Sequence, residues 1–436
     1  MLKFDEINLS SGPAARQVAA QPVRPLLVLG ASARAACHSA RRAGLQPVAA
    51  DLFADCDLQS ICRCQRVDNS QQQWIAAARK LVPDRTAWLY TGAFENHPQL
   101  VELISNRLEL WGTPADALPR ARDPRIVAAA LEAAGLPSLQ VRLSPPPLET
   151  PLPWLRKPRR GSSGSGIQAW STGLPAAETV GERSRQRDTY FQQRASGHAM
   201  SAVFLAAAES TCLLGVTSQL IGCEALGAAA FGYCGSIGPL RLPNHVSRQI
   251  VQIGATVAAA ASLRGLFGVD LIHDAGDAWV TEVNPRYTAS VEVLERGMSV
   301  GFLAWHRWSC SRTSGRDAVL VGRGDRNANA RIAAQPHACP TAGKLIVYAR
   351  QDLVAPDIVP SVDSDGFARF ADLPQPGQQI LKGHPVCSVL ARGHDRATCC
   401  AALIQRLQGL LSKLESFPVD SEQLSSILLE CPFPSG

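Results

Sequence analysis

The stretch "WVTEVNPRYTASVEV", residues 279–293, sets a glutamate, an asparagine and an arginine within five positions of one another. Trp279, Val280 and Val283 read as a strand that runs out at Pro285, because proline has no N–H for the next ladder bond. Glu282 and Asn284 are two apart, so on a strand they share one face. A carboxylate and an amide oxygen then stand side by side, with the Arg286 guanidinium just beyond. Such a trio suits a divalent cation and a phosphate. The competing reading is an edge strand with solvated polar ends.

The residues upstream sharpen the choice. In "GLFGVDLIHDAGDAWVTEVNPR", 265–286, Asp270 lies on a strand, Gly276-Asp277 marks a turn, and Glu282 lies on the return strand. Antiparallel pairing across that turn brings Asp270 and Glu282 together, with Asn284 on the Glu282 face. Two carboxylates and an amide oxygen are hard ligands of the kind Mg²⁺ takes. Without a cation the two carboxylates would repel each other.

Two further stretches carry chemistry. In "PWLRKPRRGSSGSGIQAW", 153–170, a strand delivers Lys157 and a Gly161-Ser162-Ser163-Gly164-Ser165-Gly166 loop follows. Glycines let backbone N–H groups approach a phosphate, serine hydroxyls add donors, and lysine adds a point charge. The lysine precedes the glycines, so this is not a Walker A loop; taken alone, the run also reads as a hairpin tip. "TYFQQRASGHAMSAVFLA", 189–206, reads as a strand ending in Gln192-Gln193, a turn at Gly197 and a second strand, which alone is a simple hairpin.

Length and composition bound the class. At 436 residues, 46% hydrophobic and 18% charged, the chain fits two to four domains of an enzyme with a sizeable core. The net charge of +6 has no Lys/Arg run with interleaved aromatics behind it, so a nucleic-acid partner is not expected. No apolar run reaches bilayer length and the N-terminal stretch has no signal-like apolar core, so a cytoplasmic protein with no membrane partner is expected. The thirteen cysteines are scattered and lack C-x-x-C spacing, and read as reduced thiols.

Along the chain, residues 1–24 read as a flexible arm and 25–118 as an open α/β domain. In the latter a strand at 26–29 precedes a helix at 33–43 and a strand at 46–50; a strand at 86–92 and a helix over 97–112 follow. Residues 119–310 read as a central α+β module opened by the helix in "RDPRIVAAALEAAGLP". Residues 311–343 read as a loop excursion, and 344–436 as a small, mainly-β unit with a closing helix.

Taken in order, these pieces over roughly 120–295 resemble the ATP-grasp superfamily of carboxylate-activating ligases. That resemblance implies an α/β fold with a pre-ATP-grasp domain, an ATP-grasp module and a small C-terminal β unit. It implies ATP and Mg²⁺ as cofactors, with Mn²⁺ as a substitute, and Asp270, Glu282 and Asn284 as metal ligands. Lys157 and Arg286 become the catalytic cations. Gly161, Ser162, Ser163, Gly164 and Gly166 become a lid, with Gln192 and Gln193 a hinge beside adenine. Two positions depart from the family pattern: Asp123-Pro124-Arg125 stands where Asp-Lys is usual, so Arg125 is taken as the substitute for the lysine, and Gln192-Gln193 replaces Gln-Glu.

The whole chain resembles a branch of ATP-dependent carboligases related to biotin carboxylase, whose members occur beside one-carbon coenzyme pathways of the methanopterin and methanofuran type. The resemblance implies joining a small-molecule carboxylate to an amine through an acylphosphate. Carboxylation through carboxyphosphate and non-catalytic ATP binding stay open as alternatives, as does a homodimer.

Overall fold

The structure, a computed structural model, describes residues 25–147, 152–170, 188–310, 339–412, 414, 421–430 and 433. The arm read at 1–24 and most of the excursion read at 311–343 lie outside the described residues. The fold is mixed α/β, with a parallel sheet in the N-terminal region and antiparallel sheets in the rest.

The parallel sheet orders its five strands Cys64–Arg66, Gln46–Asp51, Pro25–Gly30, Ala87–Tyr90, Glu109–Leu110. The apolar run at its centre, Leu26 to Leu29, is buried on both faces, as a parallel strand between helices requires. Strand order reverses between Pro25–Gly30 and Ala87–Tyr90, so the loop that leaves the latter opens at a topological switch point. The helix expected over 97–112 stops at Ser105. Beyond it Leu108 is buried and Glu109–Leu110 pairs with Ala87–Trp88 as an edge strand. Sheet pairing there overrides the helical periodicity.

The central layer is an eight-stranded antiparallel sheet. Its order is Asp277–Asn284, Gly265–Asp274, His198–Ala206, Thr211–Ile221, Tyr233–Gly238, Thr341–Tyr348, Pro385–Gly393, Phe370–Ala371. The C-terminal strands thus continue the same sheet. One face packs on helix Asn244–Ala261, whose Val246, Ile250, Ile253 and Val257 recur at three- and four-residue spacing and are buried. Phe204 and Phe267 stack beneath it at 5.0 Å. Gly254 is required there, since a Cβ would lie 2.1 Å from the Phe204 ring. A separate four-stranded sheet, Val141–Arg142, Thr189–Gln193, Trp154–Pro158, Gln168–Trp170, stands opposite the central one across the candidate site.

Helix Ala289–Met298, which follows the opening stretch, is pinned by buried charge. Arg34, at the start of helix Arg34–Arg42, donates two bonds to Glu292 at 2.8 and 2.7 Å and two to Asp372 at 2.7 and 3.5 Å. Lys344 bridges the same two carboxylates at 3.1 and 3.0 Å. Burial alone would push both carboxyls up, but Arg34 and Lys344 outweigh it and hold them well below the ordinary range. One ion cluster therefore joins the parallel-sheet region, the central helix and the C-terminal strands.

Replacing Arg34 by Met leaves the two buried carboxylates with Lys344 and, 3.6 Å from Glu292, Arg296, and should cost about 3–5 kcal/mol of stability. The sign with pH follows from the depressed carboxyls: their contribution is fully present above their ordinary values near pH 4 and is lost as pH falls from there through the depressed values of the folded state. Urea midpoints should therefore separate wild type from Arg34→Met strongly at pH 7 and still clearly at pH 4, with the gap closing only well below the ordinary carboxyl range. Equal midpoints at pH 7 would contradict this role for the cluster.

Candidate functional site

The hairpin predicted from the sequence exists, with its turn one residue earlier than expected, at Ala275-Gly276. Both residues have positive φ, +50° and +99°, as a two-residue hairpin turn demands. Pairing runs from Asp274↔Asp277 to Leu271↔Val280, and then Asp270 faces Glu282. Thr281 is the extra residue of a β-bulge. Simple alternation would put Val280 on the Glu282 face; the bulge instead lets Ala278, Val280 and Val283 all enter the core. Its other effect is to free the Thr281 carbonyl, which accepts from Lys157 Nζ at 3.0 Å.

Asp270, Glu282, Asn284 and Arg286 do come together. Asp270 accepts from Asn284 Nδ2 at 2.9 Å and from Gln219 Nε2 at 3.0 Å. Asn284 Oδ1 accepts from Arg286 Nη2 at 3.2 Å. Burial and the neighbouring Glu282 push the Asp270 carboxyl up to about 6, against Ser201, Arg286 and Asn284. Burial pushes Glu282 the same way, but Arg122, Lys157 and Arg286 outweigh it and hold its carboxyl below the ordinary range. Among the described residues no group of three His, Cys, Asp or Glu side chains is placed to hold a metal ion. The oxygen set here is two carboxylates and one amide. Two partly buried carboxylates, one of which raises the other's cost of ionisation, with hard donors only, fit a small divalent cation.

Lys157 arrives by parity. Leu155 and Lys157 share a face of strand Trp154–Pro158, and that face meets Gln192 of the neighbouring strand Thr189–Gln193. Lys157 Nζ donates to Gln192 Oε1 at 3.0 Å and is buried. Gln193 Oε1 accepts from Gln140 N at 3.2 Å and reaches the cavity edge. Strands Thr189–Gln193 and His198–Ala206 are not the hairpin that their spacing allows. They belong to different sheets, so 194–197 is the connector between the two layers.

Gly161–Gly166 does form a hairpin tip, between strands Trp154–Pro158 and Gln168–Trp170. The tip folds over the cavity: Ser163 O accepts from Tyr233 N at 3.3 Å, and Gly164, at φ +78°, lies so close to Phe231 that a Cβ would sit 1.8 Å from its carbonyl oxygen. Between the two sheets lies a cavity of about 660 Å³, lined among others by Lys157, Gly164, Gln193, Asp270, Glu282 and Arg286.

Arg125 is not brought to this site. Asp123 caps helix Pro124–Ala133 and holds the exposed Arg125 guanidinium at 3.0 and 2.6 Å. Arg122 enters instead, from the preceding short helix Leu118–Arg122. It reaches Glu282 Oε1 at 2.6 Å, Val283 O at 3.1 Å and Gly161 O at 2.8 Å. The helix break at Asp123-Pro124 was the available signal, because proline keeps Asp123 out of the helical region and so sets Arg122 on a separate helix from Arg125. Two other members have no such signal. Gln219 sits on a buried strand, and Glu95, in the loop at the switch point, holds Arg286 Nε at 2.7 Å from 191 positions away.

Residues 123–290 match the family model described as the ATP-grasp domain. No curated protein matches the sequence. Solved structures do match the fold. A Rhizobium etli pyruvate carboxylase aligns with TM-score 0.65 and 13% identity, over 94% of this chain and 38% of that one, so this chain spans well under half of that carboxylase. The biotin carboxylase domain of a Hydrogenobacter thermophilus 2-oxoglutarate carboxylase, a dimer solved with MgADP, ADP and bicarbonate, aligns at 0.66 and 13% over 94% of each chain. A Bacillus licheniformis L-amino acid ligase aligns at 0.61 and 15%, over 88% and 97%.

The two carboxylates should respond oppositely to neutralisation in cation-free buffer. From the sequence, relief of repulsion with Asp270 lets Glu282→Gln barely lower stability or even raise it; the Arg122 partner reverses that, and the variant should lose about 1–3 kcal/mol. Asp270→Asn should gain about 1–2 kcal/mol at pH 8. A raised carboxyl stabilises only below its ordinary value and loses that contribution as pH rises through about 6, so the gain should vanish near pH 4. Unfolding midpoints with chelator at both pH values measure this, and a less stable Asp270→Asn at pH 8 would refute it.

Proposed function

We propose that the chain, whose residues 123–290 match the ATP-grasp domain, is an ADP-forming ligase joining a small-molecule carboxylate to an amine. The observation that supports the reading most is a cavity where Lys157 and Arg286 meet Asp270, Glu282 and Asn284 beneath a Gly/Ser loop, with Arg122 bonded to Glu282 from beside it. Cations and oxygen donors held at fixed distances are what phosphoryl transfer asks of a protein, since positioning and charge do most of that chemistry.

In this reading Asp270, Glu282 and Asn284 would hold Mg²⁺, which would supply neutralisation of phosphate charge. A substrate carboxylate oxygen attacks the γ-phosphorus, the bond to ADP breaks, and an acylphosphate forms. The amine then attacks the acyl carbon, phosphate leaves, and the nitrogen loses a proton. Lys157 and Arg286 stabilise the transferring group. Gly161–Gly166 donates backbone N–H groups and keeps water from the acylphosphate, while Gln192 and Gln193 line the nucleotide side of the cavity. Glu95 holds Arg286 in place from the parallel-sheet domain.

A second reading, carboxylation through carboxyphosphate, draws on the near full-length match to a biotin carboxylase domain. ADP release separates the two. The first reading expects release that depends on both an acid and an amine, the second release that depends on bicarbonate. The acids and amines to try first are precursors of methanopterin- and methanofuran-type coenzymes, following the sequence resemblance.

Glu282→Gln should lower Mg²⁺-dependent ADP release by several orders of magnitude, an effect worth several kcal/mol of transition-state charge stabilisation. Release near the wild-type rate would sink the ligand assignment. Gly164→Ala, with its Cβ driven into the Phe231 carbonyl, should abolish turnover but leave the melting temperature within a few degrees. Full activity would show the loop to be a plain hairpin tip.

A further inference from the structure

One guanidinium ties three parts of the site together. Arg122 Nη1 donates to Glu282 Oε1 and to the Val283 carbonyl, and Nη2 donates to the carbonyl of Gly161, the first residue of the Gly/Ser loop. Its Nε is buried and has no partner. Arg122 therefore couples the strand that carries Glu282 to the loop that covers the cavity. The shortest of its contacts falls on the Glu282 carboxylate itself.

That oxygen has two suitors. Beside a dication, a guanidinium at hydrogen-bond distance is repelled, and the Arg122–Glu282 pair weakens. A guanidinium displaced in this way has phosphate oxygens as its natural next partner, because its fork matches them two at a time. The neighbouring helix offers no alternative cation, since Arg125 is held outward by Asp123.

We propose that Arg122 is an exchange residue, holding the Gly/Ser loop to Glu282 in the free protein and passing to the nucleotide phosphates when Mg²⁺ takes Glu282. Metal binding, loop release and phosphate contact are then one linked event, and Arg122 is part of the reason Mg²⁺ and nucleotide bind together. The inference rests on the Asp270/Glu282/Asn284 ligand assignment made above.

The test is ADP binding to the full chain by titration calorimetry, with and without millimolar Mg²⁺, for wild type, Arg122→Met and Arg122→Lys. Amide exchange of the 161–166 loop in the nucleotide-free protein is measured in parallel. In wild type Mg²⁺ tightens ADP binding; in Arg122→Met that tightening should shrink about tenfold, with Mg²⁺-free affinity little changed, since coupling between two ligands is what is removed. The loop amides should exchange about tenfold faster. Arg122→Lys should keep part of the coupling but show the faster loop, because an ammonium cannot reach Glu282 and Gly161 together, and it carries the test if the Met variant does not fold. A merely structural Arg122 would weaken ADP equally with and without Mg²⁺, and that result overturns the proposal. No Mg²⁺ effect in wild type would overturn the ligand assignment and this inference together. A wild-type effect that survives Arg122→Met overturns this inference alone.

Discussion

The site depends on one extra residue. Thr281 interrupts the ladder between Asp270↔Glu282 and Leu271↔Val280, and every functional side chain of the hairpin takes its direction from that bulge. Regular alternation would have forced a choice between burying Val280 and presenting Glu282, since both would lie on one face. With the bulge, Val280 and Val283 fill the core while Glu282 and Asn284 face the cavity beside Asp270. The same distortion gives Lys157 a backbone acceptor, so the strand from the small sheet is anchored to the hairpin at the point where the chemistry is proposed to occur.

Around that hairpin the charges are arranged in answering sets. Glu282 is balanced by Arg122 and Lys157, and Arg286 is balanced by Glu95. Asp270 has only neutral hydrogen-bond donors at short range and is the carboxyl left costly to ionise. Developing negative charge is what Lys157 and Arg286 are placed to absorb from where they stand. The parallel-sheet region takes part in this, because Glu95 stands in the loop at its switch point, and the Arg34–Glu292–Asp372–Lys344 cluster fixes that region against the helix following Arg286.

What the sequence made legible followed from short-range regularities. Asp270, Glu282, Asn284 and Arg286 were readable because strand parity and a turn signal bring them together without help from the rest of the chain. Lys157 and the Gly/Ser loop were readable for the same reason. Motif register points to Arg125, but the Asp123 cap claims that side chain, and Arg122, which no motif marks, reaches Glu282 instead. The helix drawn through 97–112 and the hairpin drawn through 189–206 went wrong where sheet membership overruled local pattern. Glu95 and Gln219 were beyond reach, because contacts across nearly two hundred residues or on a buried strand leave no periodic trace.

The central claim is that Asp270, Glu282 and Asn284 hold a divalent cation against nucleotide phosphates. Anomalous diffraction from crystals grown with Mn²⁺ and a non-hydrolysable ATP analogue tests it most directly. The account predicts a manganese peak within coordination distance of the Asp270 and Glu282 carboxylates, with the phosphate chain beneath Gly161–Gly166 and near Lys157 and Arg286. Nucleotide bound in the cavity with manganese elsewhere, or with Glu282 still paired to Arg122, would contradict it.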